Sequence, residues 1–410
     1  MRKFFIIASC IALAGFTSCS NDEEIAGPGN SSDNGVAPIA LSMGKGGIQV
    51  STRGTGAVGD VDNKWRGEKL NVYMLDKETF DFAVGYDGEP IFNNATITAP
   101  TIDDADNIYA DYGVSKYYPM SGNFNFFMYR SDDAATGTPA LDGDKYVLPI
   151  TIDGSQDLMV SKAEMTEAQK SAFTNLVGED NKDRYYSAFS ARRKIGLDGK
   201  EDELGVQPHF TLSHLLSRLV FYVEPSDRKV SDMNADGTDD TKYYGVTIDA
   251  IEIQNVNTSA KFIVAWKGAN PTSHLIEEGT PATVALKELV PGENNAHLLK
   301  EFTPVKPEWD DTNDVAVSKR VGESLMLFPA EEYELKIYMS QKPAADREVI
   351  NYTHYQKLRV PTVNGKFEAG KQYNVKFVVY GAEKVEMSLD PTAWEEDGNI
   401  DASFDKRDEE

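Results

Sequence analysis

Cysteine is almost absent from this 410-residue sequence: two occur, Cys10 and Cys19, both within the first twenty positions. The chain beyond Cys19 can therefore form no disulfide of its own, hold no cysteine-ligated zinc and offer no thiol nucleophile. Histidine is scarce as well. The five present (His209, His214, His274, His297 and His354) have no spacing suited to sharing a metal ion. His214 lies within a strand-like apolar stretch and reads as a core histidine. No Gly-x-Ser-x-Gly nucleophile elbow occurs. Basic charge is in deficit, with 41 Lys and Arg against 66 Asp and Glu for a formal net charge of −25. Such a field repels nucleic acid and anionic lipid, which excludes a nucleic-acid partner. With so many acids, carboxylate pairs say nothing about glycoside hydrolysis. Nothing here carries a catalytic mechanism, and the expectation is that the protein is not an enzyme and needs no cofactor.

What is present begins at the first residues. Met1-Arg2-Lys3 precedes an apolar run over 4–16, followed by Thr17-Ser18-Cys19. A basic start, a short apolar run and small residues before a cut describe a signal peptide over 1–18. The run falls short of the roughly 20 residues a spanning helix needs, and polar residues follow at once. Cys10 would leave with this segment. Cys19 would become the new, lipid-bearing N-terminus, although the usual Leu three positions earlier is missing; the alternative is an ordinary signal peptide with an incidental cysteine. Several acyl chains would hold such an N-terminus firmly in a membrane, at roughly 0.8 kcal/mol per buried methylene. Residues 19–37 are rich in Gly, Ser, Asn and Asp and read as a lipid-anchored flexible tether.

From residue 38 the pattern is overwhelmingly β. In 372–379, Tyr373, Val375, Phe377 and Val379 share one face and Gln372, Asn374 and Lys376 the other. Val385, Met387 and Leu389 alternate in the same way, as do Ile400, Ala402 and Phe404. Denser apolar runs at 70–75, 124–129, 219–223, 246–253, 324–328 and 335–339 read as more deeply buried strands. One helix is expected: Ser161-x-x-Glu164 fits a capping box, with Met165, Ala168, Ala172, Phe173 and Leu176 following at helical spacing. The polar, Gly-rich stretch 196–205 and Pro208 suggest a boundary. The expected organisation is all-β, with an N-terminal unit at 38–207, a C-terminal unit at 208–404 and a charged tail at 405–410.

Four stretches taken in order resemble the fimbrillin family of Bacteroidetes pili. They are Ser51-Thr52-Arg53-Gly54 before Trp65-x-Gly67; Tyr117-Tyr118-Pro119 leading to Phe124-Asn125-Phe126-Phe127-Met128-Tyr129; Phe210-Thr211-Leu212-Ser213-His214-Leu215-Leu216-Ser217-Arg218-Leu219-Val220-Phe221; and Gly370-Lys371-Gln372-Tyr373-Asn374-Val375 before Trp394 and Gly398-Asn399-Ile400. The acidic start at 20–24 also resembles the signal that sends lipoproteins of that phylum to the outer surface of the cell. The resemblance implies two tandem β-sandwiches of transthyretin-like topology, a surface-exposed lipoprotein of the outer membrane, and a role as pilus subunit or adhesin. It further implies assembly with other fimbrial subunits: a protease cuts after a basic residue, the first strand leaves, and a neighbour's strand fills the groove by β-augmentation. Carried onto this chain, 47–52 would be the removable strand with Ile48 and Val50 inward, and Arg53 the cut, with Arg66 as a rival. A plain surface turn is the other reading of Arg53. The donor would be drawn from Val385, Met387, Leu389, Ile400, Ala402 and Phe404, which could equally be the domain's own last strands. A non-polymerising lipoprotein that binds glycan or a host ligand remains the alternative, with Tyr117, Tyr118, Tyr185, Tyr186, Trp266 and Trp309 as stacking candidates; the sequence does not separate these from core aromatics, which is the commoner role of such residues.

Two further matches are weaker. Gly54-x-Gly56-x-x-Gly59 copies a dinucleotide fingerprint, but no helix pattern follows to hold a pyrophosphate. Asp232-x-Asn234-x-Asp236-Gly237, with Asp240 at the ninth position, opens like a calcium loop. Tyr243 stands where the bidentate Glu belongs, leaving weak calcium binding or an acidic hairpin tip. The lipid anchor is directly testable. Cys19→Ser should stop incorporation of labelled palmitate by cells and move the protein from the detergent phase to the aqueous phase; unchanged labelling would refute the anchor.

Overall fold

The computed structural model describes residues 39, 41–44, 68–98, 107–109, 116–165, 170–171, 174, 188–189, 208–228, 230, 245–291, 297–341, 348–362 and 365–393. Strands dominate. The N-terminal part is organised by a five-stranded sheet that carries, from edge to edge, β10 (Ser213–His214), β8 (Met159–Lys162), β5 (Phe124–Arg130), β2 (Lys69–Asp76) and β3 (Ala95–Thr98). All seven residues of β5 are buried, because both faces of this sheet are covered. Phe124, Phe126 and Met128 point into one hydrophobic cluster, Phe127 and Tyr129 into another. The continuous apolar run in the sequence is the signature of that two-sided cover.

One cover is a small sheet of β4 (Asn107–Tyr109), β1 (Ser42–Gly44) and β9 (His209–Phe210). The other is formed by β14 (Leu275–Glu278), β13 (Ser259–Trp266), β7 (Lys145–Thr151) and β6 (Ala140–Asp142). Phe262 and Trp266 from β13 meet Tyr129 and Phe127 edge-on, at centroid distances of 5.7 and 4.9 Å.

The C-terminal sandwich stacks β20 (Lys319–Leu327), β11 (Ser217–Pro225), β23 (Lys371–Gly381) and β24 (Lys384–Ala393) on β15 (Ala282–Ala285), β12 (Val246–Val256), β21 (Glu332–Gln341) and β22 (Ile350–Arg359). The period-2 pattern of 372–379 does what it promises: Tyr373, Val375, Phe377 and Val379 all enter the core between these sheets. Phe377 stacks on Phe221 at 6.0 Å. β11 and β23 run parallel through eight registered pairs, Arg218↔Gln372 to Pro225↔Val379. Two small ladders complete the described strands, β16 (Lys287–Pro291) with β17 (His297–Glu301) and β18 (Glu308–Asp310) with β19 (Val315–Val317).

Hydrogen-bonded pairs cross the expected division at 207/208 in three places: β1 with β9, β8 with β10, and β7 with β13. The 259–278 hairpin thus belongs to the N-terminal sheets although it lies in the second half of the sequence. At the junction Met326 N donates to Gly154 O at 2.8 Å, and Lys287 Nζ meets Asp153 Oδ2 at 2.5 Å. Gly154 has φ +95°, and a Cβ there would fall 2.7 Å from Val284 and 2.9 Å from Leu325.

The expected helix start is corrected. Ser161 belongs to β8, opposite Met128, and its hydroxyl accepts a hydrogen bond from Thr211 N at 3.2 Å. Pairing on both sides of β8 outweighs a local capping signal worth about 1 kcal/mol. Met165 is buried in the core, and helical geometry is described at Lys170, Ser171 and Thr174. Ala168, Ala172, Phe173 and Leu176 lie outside the described residues. Among the described residues, no helix is long and apolar enough to cross a membrane.

Because Phe262 seals the two-sided sheet from a strand distant in sequence, Phe262→Ala should cost about 3–5 kcal/mol. It should lower the urea midpoint of the whole chain in one transition; an unchanged midpoint would show that the hairpin is not part of the cooperative core.

Candidate functional site

The first described strand has an unusual position for its length. β1 has three residues, yet it is the middle strand of its sheet, antiparallel to β4 (Ser42↔Tyr109) and parallel to β9 (Ser42↔His209). Just before it, Ile39 and Leu41 are each 1% exposed, and Ile39 N donates to Lys116 O at 2.8 Å. Their side chains join a cluster with Tyr118, Phe126, Met159, Phe189, Phe210 and Leu212. Tyr118 and Phe189 approach the Phe126 ring edge-on at 6.0 and 5.7 Å. Phe189 is itself held to Phe124 by two backbone hydrogen bonds of 2.6 and 2.8 Å. The result is a slot between β4 and β9 with an aromatic floor, filled by the first of the described strands. Among its described side chains, those of Ile39, Leu41, Tyr118, Phe126, Phe189, Phe210 and Leu212 make an apolar interior. What the slot receives is an extended backbone with apolar side chains.

A cluster of buried charged side chains lies elsewhere, where the five-stranded sheet meets the C-terminal sandwich. His214 Nδ1 donates to Asp157 Oδ1 at 2.7 Å, with both side chains fully buried. Arg130 Nε donates to Asp132 Oδ1 at 2.6 Å, and its guanidinium lies 3.7 Å from Asp157. Burial alone would lower the Arg130 guanidinium, but Asp132 and Asp157 hold it above its ordinary range. Burial pushes the Asp132 carboxyl up against the pull of Arg130, and Asp157 adds to the rise. Asp157 N donates to Asp132 Oδ2 at 2.8 Å, tying loop 131–133 to loop 153–157. This is a brace for the strand ends. The core assignment of His214 holds.

The remaining sequence candidates distribute as follows. Cys19, Ile48, Val50, Arg53 and Arg66 lie outside the described residues, as do Asp232, Asn234, Asp236 and Asp240 of the calcium-like loop, Tyr185, Tyr186, and Ile400, Ala402 and Phe404. The described residues contain no group of three His, Cys, Asp or Glu able to hold a metal ion. Val385, Met387 and Leu389 sit in β24, registered opposite Val379, Phe377 and Val375 of β23. Val385 is buried, and the other two are half-buried against the C-terminal core. Among the stacking candidates, Tyr118 and Trp266 are corrected: at 3% and 2% exposure both are core residues. Tyr117, the neighbour of Tyr118, faces outward. Tyr86, 78% exposed, went unnoticed in the sequence, although Gly85-Tyr86-Asp87-Gly88 has the composition of a turn that would display it.

Comparison with known proteins gives structural likenesses only. The chain is similar to a solved structure described as a cell adhesion protein from Bacteroides uniformis, at 15% identity and a TM-score of 0.42, covering 88% of this chain and 99% of that one. It is similar to a fimbrial protein from Bacteroides vulgatus at 12% identity and a TM-score of 0.38, covering 87% and 99%. It is also similar to the fimbrial anchor protein Mfa2 from Porphyromonas gingivalis, at 10% identity and a TM-score of 0.30, covering 87% and 98%. These are adhesion and fimbrial proteins, not enzymes, the group that the sequence resembles. No family model and no curated protein matches the chain. At such identities and scores the likeness by itself fixes no function.

Removing one member of the buried brace leaves uncompensated charge behind. Asp157→Ala should therefore destabilise the protein by about 3–5 kcal/mol, read as a loss in the urea midpoint, while Asp390→Asn, at an exposed position of β24, should change it by under about 0.5 kcal/mol.

Proposed function

We propose that this chain is a cell-surface fimbrial subunit or adhesin, exported with a lipid on Cys19, whose N-terminal slot exchanges its own first strand for one supplied by a neighbouring subunit. The observation that carries the proposal is the placement of β1: three residues long, in mid-sheet, and preceded by Ile39 and Leu41 in the aromatic slot. It is the first of the described strands, so no described strand precedes it in the chain. Burial of its two apolar anchors contributes roughly 1.5–3 kcal/mol each. An incoming strand that places more alternating side chains on the same floor, and forms ladder bonds along more of β4 and β9, would be favoured over it. Cleavage after Arg53 would separate 19–53 from the rest. Release from the lipid and opening of the slot would then be one event.

For the donor, ten registered pairs between β24 and β23 tie Val385, Met387 and Leu389 into their own sandwich. Their departure would open the C-terminal core. We therefore assign the donor role to the alternation Ile400, Ala402 and Phe404. The partners are other subunits of the same kind, and the location is the outer surface of the cell. A tethered adhesin that keeps β1 in place is the second reading, favoured by the exposed aromatic side chains of the N-terminal part.

A covalent lock separates the two. Facing Cα atoms in an antiparallel pair are about 4.5–5.5 Å apart, within the span of a disulfide. Ser42→Cys with Tyr109→Cys should therefore pin β1 to β4 under oxidising conditions. The wild-type chain treated with a trypsin-like protease should begin at Gly54 and form detergent-resistant oligomers. The oxidised double variant should stay monomeric until reductant is added. Equal polymerisation of the locked protein would remove the exchange mechanism.

A further inference from the structure

We infer that the end of the N-terminal sheet remote from the C-terminal sandwich is a docking surface for a basic, apolar-bearing protein segment. This rests on the adhesin side of the proposed function and goes beyond it by naming the surface and the chemistry of its partner. The end in question is marked by Asp76, Phe124 and Lys162; His214 and Arg130 mark the opposite end, where the chain enters β11.

Two loops build the surface. Residues 80–92 fold back beside β2 as a small hairpin, fixed by Ala83 N to Met74 O and Met74 N to Phe92 O at 3.0 Å, and by Ile91 N to Ala83 O and Gly85 N to Glu89 O at 2.8 Å. Residues 116–123 lead into β5. The tips touch where Tyr86 Oη donates to Met120 Sδ at 3.0 Å. Large apolar side chains are left in solvent: Val84 at 46% exposure, Tyr86 at 78%, Tyr117 at 40% and Met120 at 60%. Exposed groupings of this kind, with Tyr and Met prominent, mark interaction surfaces.

Phe80 and Asn94 bracket the hairpin with φ of +69° and +52°; the first is costly for a bulky aromatic, the second is tolerated by asparagine. Gly122 has φ +109°, and a Cβ there would lie 2.6 Å from the Phe124 ring. The backbone hydrogen bonds of the hairpin and the Tyr86–Met120 contact hold the surface in shape before any partner arrives, which reduces the ordering cost of binding.

Charge decides the partner. Segment 76–92 carries Asp76, Glu78, Asp81, Asp87 and Glu89 against Lys77, and segment 116–123 adds only Lys116. The Asp76 carboxylate is turned inward to cap Glu78 N and Thr79 N at 2.8 Å. Asp87 and Glu89 belong to the same turn as Tyr86, and Asp87 Oδ1 accepts a hydrogen bond from Glu89 N at 3.1 Å. An exposed aromatic ring in an acidic turn, with a polarisable thioether against its hydroxyl, suits a lysine or arginine side chain and an adjoining aliphatic one. The chain's charge of −25 would also steer a cation toward it.

The test uses the full chain and short immobilised peptides. One alternates lysine with leucine; in two companions the lysines are replaced by serine or by glutamate. Capture by the lysine–leucine peptide alone is expected. Tyr86→Ala should weaken it about tenfold or more, as truncation of a central aromatic anchor does. Asp87→Asn with Glu89→Gln should weaken it several-fold, more than Asp390→Asn with Glu348→Gln on the C-terminal sandwich. Equal loss from both charge pairs would reduce the effect to bulk charge and overturn the inference. So would undiminished capture by Tyr86→Ala, equal capture of the serine peptide, or Tyr86-dependent binding to a glycan array with all peptides silent. Tyr86→Ala should polymerise as the wild type does; loss of polymerisation together with capture would make Tyr86 a folding residue and overturn the inference. Wild-type protein that captures the peptide but never polymerises would remove strand exchange and leave this surface standing.

Discussion

One stretch of backbone, residues 209–225, is committed to three separate hydrophobic clusters within seventeen positions, and the architecture depends on it. Phe210 and Leu212 pack beneath the first strand, Leu216 joins the opposite face of the five-stranded sheet, and Leu219, Phe221 and Val223 enter the C-terminal sandwich. The same stretch supplies β9, β10 and β11 in turn, each to a different sheet. Such a thread cannot slip by one residue, because that would move every side chain to the wrong face in three sheets at once. His214 fixes the register from within: its bond to Asp157 pairs two buried polar groups that would be costly apart. Leu215 N to Leu158 O and Gly370 N to Leu216 O close the backbone on either side.

Against this fixed frame the first strand is a light attachment. The cores on both sides of 207/208 are closed by many long strands, whereas the slot between β4 and β9 is closed by three residues and two apolar anchors. Under the proposed exchange, this is the part that would be replaced while the frame persists. Disulfides contribute nothing to the contrast, since Cys10 and Cys19 are the chain's only cysteines. Side-chain burial and ladder bonds alone set the difference in strength.

Much of the frame was legible in the sequence because its signals are periodic or continuous. Alternation at 372–379 identified both the strand and its inner face, and the run at 124–129 marked a strand buried on two sides. The slot was less legible. Ser42-Met43-Gly44 has no pattern of its own, and its partners at 107–109 and 209–210 are remote in sequence, so only the fold brings them together. Ser161 shows the opposite failure: a good local cap lost to pairing on two flanks. Tyr117 and Tyr118 had to face opposite ways as neighbours in an extended chain, but which faced inward depended on Phe126. Trp266 looked like a candidate for display and proved to be packing for Phe127. The strands at 259–278 are not among those expected from the sequence, and nothing local says that β13 should choose β7.

The parallel pairing of β11 with β23 bears on how such a molecule would carry tension. β11 receives the chain from the N-terminal sheets, and β23 hands it to β24, the last described strand. β24 runs antiparallel to β23 and brings Ala393 back opposite Lys371, beside the Arg218 end of β11. A pull entering at Ser217 and leaving beyond Ala393 therefore acts at one end of the sheet. It opens the Arg218↔Gln372 rung first, and the rungs toward Pro225↔Val379 follow in turn. The sheet yields gradually to tension in that direction.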